Sequence, residues 1–328
     1  VRFALLTNPE DRRTAFFREA HQRVLGSDPL VVSWLDFLDG TPLPNADALR
    51  IESPGENLDV HTKLLRRGAK LRGSEAPSEV QPGRILNSGL WFDGFAHALS
   101  DPNLITGPVM NSPDAIKTMM DKILSHARFV ELGVHAPSLF GSVFSYDDLV
   151  ERRLEGHHRL FLKPRFGSSA SGVLAWRSDG KKEEIVTSVE LSSDGLYNSL
   201  KIRRYTDETS IAKIVDELGR SELICEVWVP KATHEGLNFD LRVLAIRGKS
   251  PRHFVVRTSK SPMTNLHLGN RRGDVEAVQE SVGAQWEAMT QTAEKVVDGI
   301  IGAHYTGLDI AFDVTKRRHV VLEANAFG

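Results

Sequence analysis

The sequence predicts an α/β arrangement in its first third and α+β beyond it, on two observations. Apolar strand-like runs alternate with helical patterns up to about residue 108, whereas strands dominate after residue 159. The length agrees, because 328 residues exceed what one hydrophobic core ordinarily holds, so two or three domains are expected.

The strand candidate Phe3-Ala4-Leu5-Leu6-Thr7 precedes a helical pattern over 11–25, with Phe16, Phe17, Ala20 and Val24 at helical spacing. Residues 30–38 and 48–51 read as strands, and 57–71 as a polar helix with a leucine edge. This alternation describes a small open α/β domain. The turn Asn8-Pro9-Glu10 contains no glycine, so it is not a dinucleotide fingerprint. Residues 74–83, with Pro77, Pro82 and Gly83, read as a loop. Ser112 and Pro113 are a cap and an N1 proline in the expected order, opening a helix with Ile116, Met119, Met120, Ile123, Leu124 and Ala127 on one stripe. Gly133 stops it, and Lys122 lies off the stripe. A helix over 146–154 follows, then strands at 159–163, 172–176, 223–229, 239–246 and 253–258. One long amphipathic helix then carries Val278, Val282, Trp286, Met289, Ala293, Val296 and Ile300 as its core edge. Two final strands, 307–314 and 319–325, are joined by a short charged turn.

Composition narrows the function classes. Hydrophobic residues at 41% and charged residues at 26% describe a globular chain rather than a disordered one. Lys+Arg at 41 against Asp+Glu at 43 leaves no basic excess, which speaks against a nucleic-acid partner. The single cysteine, Cys225, excludes an intrachain disulfide and favours a cytoplasmic setting. No apolar run approaches the roughly 18 residues of a membrane helix. Val1-Arg2-Phe3 leads straight into a strand, with no signal peptide expected.

Three stretches carry chemistry. In Leu162-Lys163-Pro164-Arg165-Phe166-Gly167-Ser168-Ser169-Ala170-Ser171-Gly172-Val173, a strand delivers a lysine and a loop of small residues follows. Such a loop lets backbone N–H groups approach an anion closely, and the lysine adds a point charge. It is not a P-loop, because the lysine precedes it and no helix begins after Gly172. Taken alone, a Ser/Gly-rich hairpin with an incidental lysine accounts for it equally well. At the C-terminus, Glu323 and Asn325 share one strand face, and the turn over 315–318 makes their strand the antiparallel neighbour of the one carrying Asp309. The three could converge as hard oxygen ligands, an incomplete set that suits Mg2+ completed by water and phosphate. A solvated edge hairpin is the alternative, against which the flanking Leu308, Ile310, Phe312, Val320, Leu322 and Ala324 argue. Third, Asp240 and Arg242 face the same way on one strand, Arg257 lies on the next, and Asn265 follows in a loop. Two arginines and an amide near a metal-bound phosphate can hold the charge that develops in phosphoryl transfer, although singly each arginine is an ordinary surface residue.

Other noticeable residues have simpler readings. His157-His158 has no partner at metal spacing, and His234-Glu235 lacks a second histidine at the helical offset. Cys225 reads as a small core residue. His267 sits in the loop with Asn265, where contact with a substrate is the minority reading.

Taken together and in this order, the motifs over 109–328 resemble the ATP-grasp superfamily, in the branch of glutathione synthetase and the RimK-type glutamate ligases, and look most like bacterial proteins of unassigned substrate. The resemblance implies an ATP-grasp fold behind an N-terminal open α/β (pre-ATP-grasp) domain, divided as 1–108, 109–224 and 225–328. It implies that Lys122 and Lys163 contact nucleotide phosphate under a lid containing Gly167, Ser168, Ser169 and Gly172. The adenine hinge would be Cys225-Glu226-Val227-Trp228-Val229, with Glu226, Trp228 and Val229 as contacts, and Asp240 would take the ribose hydroxyls. Arg242, Arg257 and Asn265 would serve the transferred phosphate, and Asp309, Glu323 and Asn325 would hold Mg2+, or alternatively Mn2+. The activity implied is an ATP-dependent carboxylate–amine ligase working through an acyl phosphate, on a small-molecule or peptide carboxylate with an amine acceptor. A kinase on the same fold, or a nucleotide-binding scaffold without turnover, is the alternative, and a homodimer is common among such enzymes. Two departures stand out: Gly269-Asn270 replaces a pair of glycines, where Asn tolerates left-handed backbone, and relatives usually continue beyond Ala326-Phe327-Gly328.

Overall fold

The computed structural model describes residues 1–55, 57–104, 107–168 and 170–327, so Ser169 of the expected lid lies outside the described residues. The first third contains β1 (Phe3–Thr7), α1 (Arg12–Leu25), β2 (Leu30–Ser33), α2 (Trp34–Leu38), β3 (Ala48–Ile51), α3 (Leu58–Arg72) and α4 (Ser88–Leu99). Its strands pair in parallel in the order β2-β1-β3. Residues 34–38 do not continue the strand. The Ser33 hydroxyl accepts the Asp36 N–H at 3.0 Å, and this cap opens a helical turn that buries Trp34 and Phe37. In α1 the face turned inward is not the expected one. Thr14 and His21 are buried, while Phe16 and Val24 are 60% and 74% exposed. The pairing of α3 with α4 depends on two glycines. A Cβ on Gly68 would lie 1.8 Å from the Leu90 carbonyl oxygen, and one on Gly94 1.9 Å from that of Leu64.

The helix expected over 112–133 is two helices, α5 (Pro113–Met120) and α6 (Lys122–Glu131). Asp121 leaves helical geometry (φ −89°, ψ 108°) and caps α6, its carboxylate accepting the N–H of Ile123 at 2.9 Å and of Leu124 at 3.3 Å. Lys122 is therefore the first residue of a new helix rather than the middle of an old one.

The central part consists of β4 (Leu139–Val143), α7 (Tyr146–Leu154), β5 (Arg159–Pro164), β6 (Leu174–Ser178), β7 (Glu183–Leu191), β8 (Leu196–Tyr205), α8 (Glu208–Gly219) and β9 (Leu223–Val227). Its antiparallel sheet runs β4-β9-β5-β6-β7-β8. The helix α7 has its expected span, opened by a Ser145–Asp148 capping box. The boundary expected at 224/225 falls inside β9, which is hydrogen-bonded between β4 and β5.

The last part contains β10 (Thr233–His234), β11 (Leu237–Ile246), β12 (Lys249–Ser259), β13 (Arg271–Arg272), α9 (Val275–Val282), α10 (Gln285–Gly299), β14 (Tyr305–Phe312) and β15 (His319–Asn325). The sheet order is β13-β12-β11-β14-β15, with β10 on β11. The single long helix is divided at Gly283 (φ +56°), yet every residue of its expected core edge is buried. Strand β14 is buried along its whole length, so Asp309 does not lie on a solvated edge, although its partner β15 is the half-buried edge strand of the sheet.

Two large apolar clusters hold these parts. One runs from Leu6, Leu49 and Phe95 through Ile116 and Phe129 to Leu241, Val296 and Ile310, joining the first sheet, α5, α6 and the last sheet. The other, with Leu160, Trp176, Ile214, Leu218 and Cys225, fills the space between the central sheet and α7 and α8. Separate cores leave room for a cleft between them.

Candidate active site

A cleft of about 1150 Å3 lies between the central and last sheets and reaches the first third at Leu58, His61 and Trp91. The local geometry that fills it with charge follows from strand registers. Asp309 on β14 is directly opposite Glu323 on β15 and Arg242 on β11, and Arg257 on β12 is opposite Asp240 on β11. Sheet pairing thus gathers residues separated by up to 83 positions without any long side chain having to search for its partner.

Lys163 at the end of β5 and Glu226 on the neighbouring β9 are an ion pair buried below a tenth exposure. Burial alone would pull the Lys163 ammonium down, but Glu226, Glu323 and Asp309 reverse this and hold it protonated above the usual lysine range. Lys122 reaches in from the start of α6. Its Nζ donates to the Gly167 carbonyl and lies 3.1 Å from Glu323 Oε1. Burial opposes the Glu323 charge, yet Lys122, Lys163 and Arg242 hold its carboxyl below the usual range.

Asp309 Oδ1 lies 2.9 Å from Arg242 Nε and 3.2 Å from Arg257 Nη2, off the line of a hydrogen bond to either. It is buried, and among the described residues the two guanidinium groups meet its charge as ion pairs rather than through an aligned hydrogen bond. The Asn325 Nδ2 donates to the Gly307 carbonyl at 2.9 Å, which orients its amide within the same hairpin. Two carboxylates and an amide oxygen on one hairpin are a donor set that fits a hard divalent cation such as Mg2+. No group of three or more His, Cys, Asp or Glu in metal-holding arrangement occurs among the described residues, so water and phosphate would supply the other ligands.

Asp240, the expected ribose acceptor, has its carboxylate turned to neighbouring cations. It is 1% exposed, and both its oxygens are occupied: Oδ1 by Arg257 Nε at 2.7 Å, Oδ2 by Lys231 Nζ at 2.8 Å and by the Thr264 hydroxyl. The carboxylate thereby orients two cations at the cleft. Lys231, which sequence reasoning missed, is largely shielded from water, and this desolvation pulls its ammonium below the usual lysine range despite Asp240. No spacing rule flags a single lysine between β9 and β10.

In the lid, Gly167 and Ser168 line the cleft, while Gly172 (φ +70°) backs onto Pro164, whose Cγ would be 2.8 Å from an added Cβ. Trp228 and Val229 line the cleft beyond β9, with the Phe161 ring edge-on to Trp228 at 6.4 Å. Asn265 and the exposed His267 also line it. Gly269 takes the left-handed turn (φ +78°), and Asn270 serves through its amide, donating to the carbonyls of Met263 and Asn265 at 2.8 and 3.0 Å.

Neither a family model nor a curated protein matches the chain. Solved structures do. It is similar to the ATP-grasp ligase PsnB complexed with a phosphomimetic variant of its minimal precursor, Mg and ADP (14% identity, TM-score 0.54, covering 100% of this chain and 90% of that one). It is similar to the D-cycloserine synthetase DcsG (12% identity, TM-score 0.54, 99% and 91% covered). A RimK domain ATP-grasp protein from Sphaerobacter thermophilus DSM 20745 matches at 12% identity and TM-score 0.55, over 100% and 92%. The chain therefore has the ATP-grasp fold.

Proposed function

We propose that the protein is an ATP-dependent carboxylate–amine ligase. The observation that carries this reading is the convergence, in one cleft, of buried lysines from α6 and β5 with an Asp–Glu–Asn set on the β14–β15 hairpin. Trp228 and Val229 would seat the adenine, with Glu226 beside them. Lys122, Lys163 and the lid N–H groups would hold the phosphates. Asp309, Glu323 and Asn325 would hold Mg2+, whose chemistry there is to neutralise charge across the phosphate chain. Arg242 and Arg257 would steady the γ-phosphoryl group as a substrate carboxylate oxygen attacks it and ADP departs. Asn265 would orient the resulting acyl phosphate. An amine then attacks the acyl carbon, loses a proton and expels phosphate, leaving an amide. Positioning and electrostatics account for the rate, since no side-chain nucleophile is required.

The substrate acid is either a small molecule or a peptide; of the similar structures, PsnB is complexed with a precursor peptide and DcsG is a D-cycloserine synthetase. The test is a panel of acids and amines with ATP and Mg2+, scored by ADP release and repeated with an oxygen-18-labelled carboxylate. Label appearing in the released phosphate is the expected result. ADP release with a phosphorylated product that persists, and no labelled phosphate, would mean a kinase instead.

A further inference from the structure

Between the lysine of α6 and the lid lies a network that no substrate role accounts for. The Asp121 carboxylate is 4% exposed and accepts four hydrogen bonds. Two come from the N–H groups of α6, and two parallel ones come from Arg165, Nε at 2.9 Å and Nη2 at 2.6 Å. Such a planar two-point bond fixes orientation as well as distance. The third guanidinium nitrogen, Nη1, donates to Glu222 Oε2 at 3.1 Å, and the Arg165 N–H donates to the Glu222 carbonyl at 3.0 Å. In return the Arg165 carbonyl accepts the Lys122 N–H at 3.2 Å, and Lys122 Nζ reaches the carbonyl of Gly167. The Asp121-Lys122 pair and the Arg165–Gly167 turn are therefore joined side chain to side chain, backbone to backbone, and side chain to backbone. Beside them Phe166 stacks on Phe92 of α4 at 4.0 Å, with the Arg165 guanidinium 4.9 Å from the Phe166 ring.

We propose that Arg165, bonded to Asp121, is a positioning residue that sets the Lys122 ammonium for phosphate. It touches no nucleotide itself and acts through Lys122. An ammonium on a flexible four-carbon stem is an imprecise phosphate ligand unless its backbone is fixed, and here the fixing comes from a residue 43 positions away. This rests on the proposed nucleotide site.

The experiment compares binding of a non-hydrolysable ATP analogue with Mg2+ against binding of adenosine, by calorimetry. Arg165→Ala is expected to weaken the analogue about tenfold and leave adenosine within about twofold. Asp121→Asn retains the helix cap but loses the charge pairing, so it should show the same phosphate-selective loss even if Arg165→Ala fails to fold. Lys122→Ala should lose at least as much, and adding Arg165→Ala to it should cost nothing further. The proposal is overturned if the two losses add, if adenosine weakens as much as the analogue, or if Arg165→Ala and Asp121→Asn bind like wild type while Lys122→Ala does not. Wild-type affinity in Lys122→Ala, or no analogue binding by wild type, would instead remove the nucleotide reading and this proposal with it.

Discussion

Asp240 shows how one buried carboxylate organises a site. Burial works against its charge, but Lys231 and Arg257 hold its carboxyl far below the usual carboxylate range. Its folded pKa is thus depressed, so its contribution to stability is complete above the unfolded value and is lost as pH falls through the folded one. Asp240→Asn leaves Lys231 and Arg257 buried without their counter-charge and is expected to cost about 3–5 kcal/mol in denaturant unfolding at pH 7. The gap between wild type and variant should shrink as pH drops below about 4. Cys225 behaves oppositely: burial pushes its thiol up to about 12, so iodoacetamide at pH 8 should leave it unmodified until the protein is unfolded. Its core character was legible from the apolar neighbours Ile224 and Val227. The saturation of Asp240 was not, because it depends on Lys231 and Thr264, which reach it only through a tertiary contact.

At the scale of elements, capping decided where the sequence pattern succeeded and failed. The span of α7 was legible, and a complete capping box opens it. Residues 34–38 and the break at Asp121 were misread because apolar spacing continues smoothly across both. In each, a short polar side chain claims N–H groups ahead of it and redirects the chain. Strands β7 and β8 carry no clean alternation, and β8 is half exposed at the sheet edge, so neither announced itself. The α3–α4 contact yields a direct prediction. Gly68→Ala or Gly94→Ala places a methyl group into a carbonyl oxygen, forcing the helices apart and costing about 1–3 kcal/mol or more. Thermal melting would register this as a lowered midpoint, whereas Gly26→Ala, with open space around its Cβ but φ +71°, should cost less.

Across the whole molecule, the near-neutral charge total hides a local arrangement. Lysines from α6 and β5 meet Asp309 and Glu323 in one cleft, beside the arginines of β11 and β12 on the same sheet as these carboxylates, and separate cores lie on either side. Among the described residues no helix is long and apolar enough to cross a membrane. Lys163→Ala is expected to abolish nucleotide turnover while leaving the melting midpoint within a few degrees, since its partner Glu226 can take up a proton when the cation is gone. The order of motifs made the fold legible in the sequence. The cleft's reach into the first third was not, because Leu58, His61 and Trp91 belong to no motif and arrive by packing. The central claim is that the β14–β15 hairpin holds Mg2+ against ATP phosphates. It is tested most directly by measuring Mg2+-dependent binding of ATP to wild type and to Glu323→Ala of confirmed fold. Wild type should require Mg2+ for tight binding, and the variant should weaken by about tenfold or more; unchanged affinity and unchanged Mg2+ dependence in the variant would contradict it.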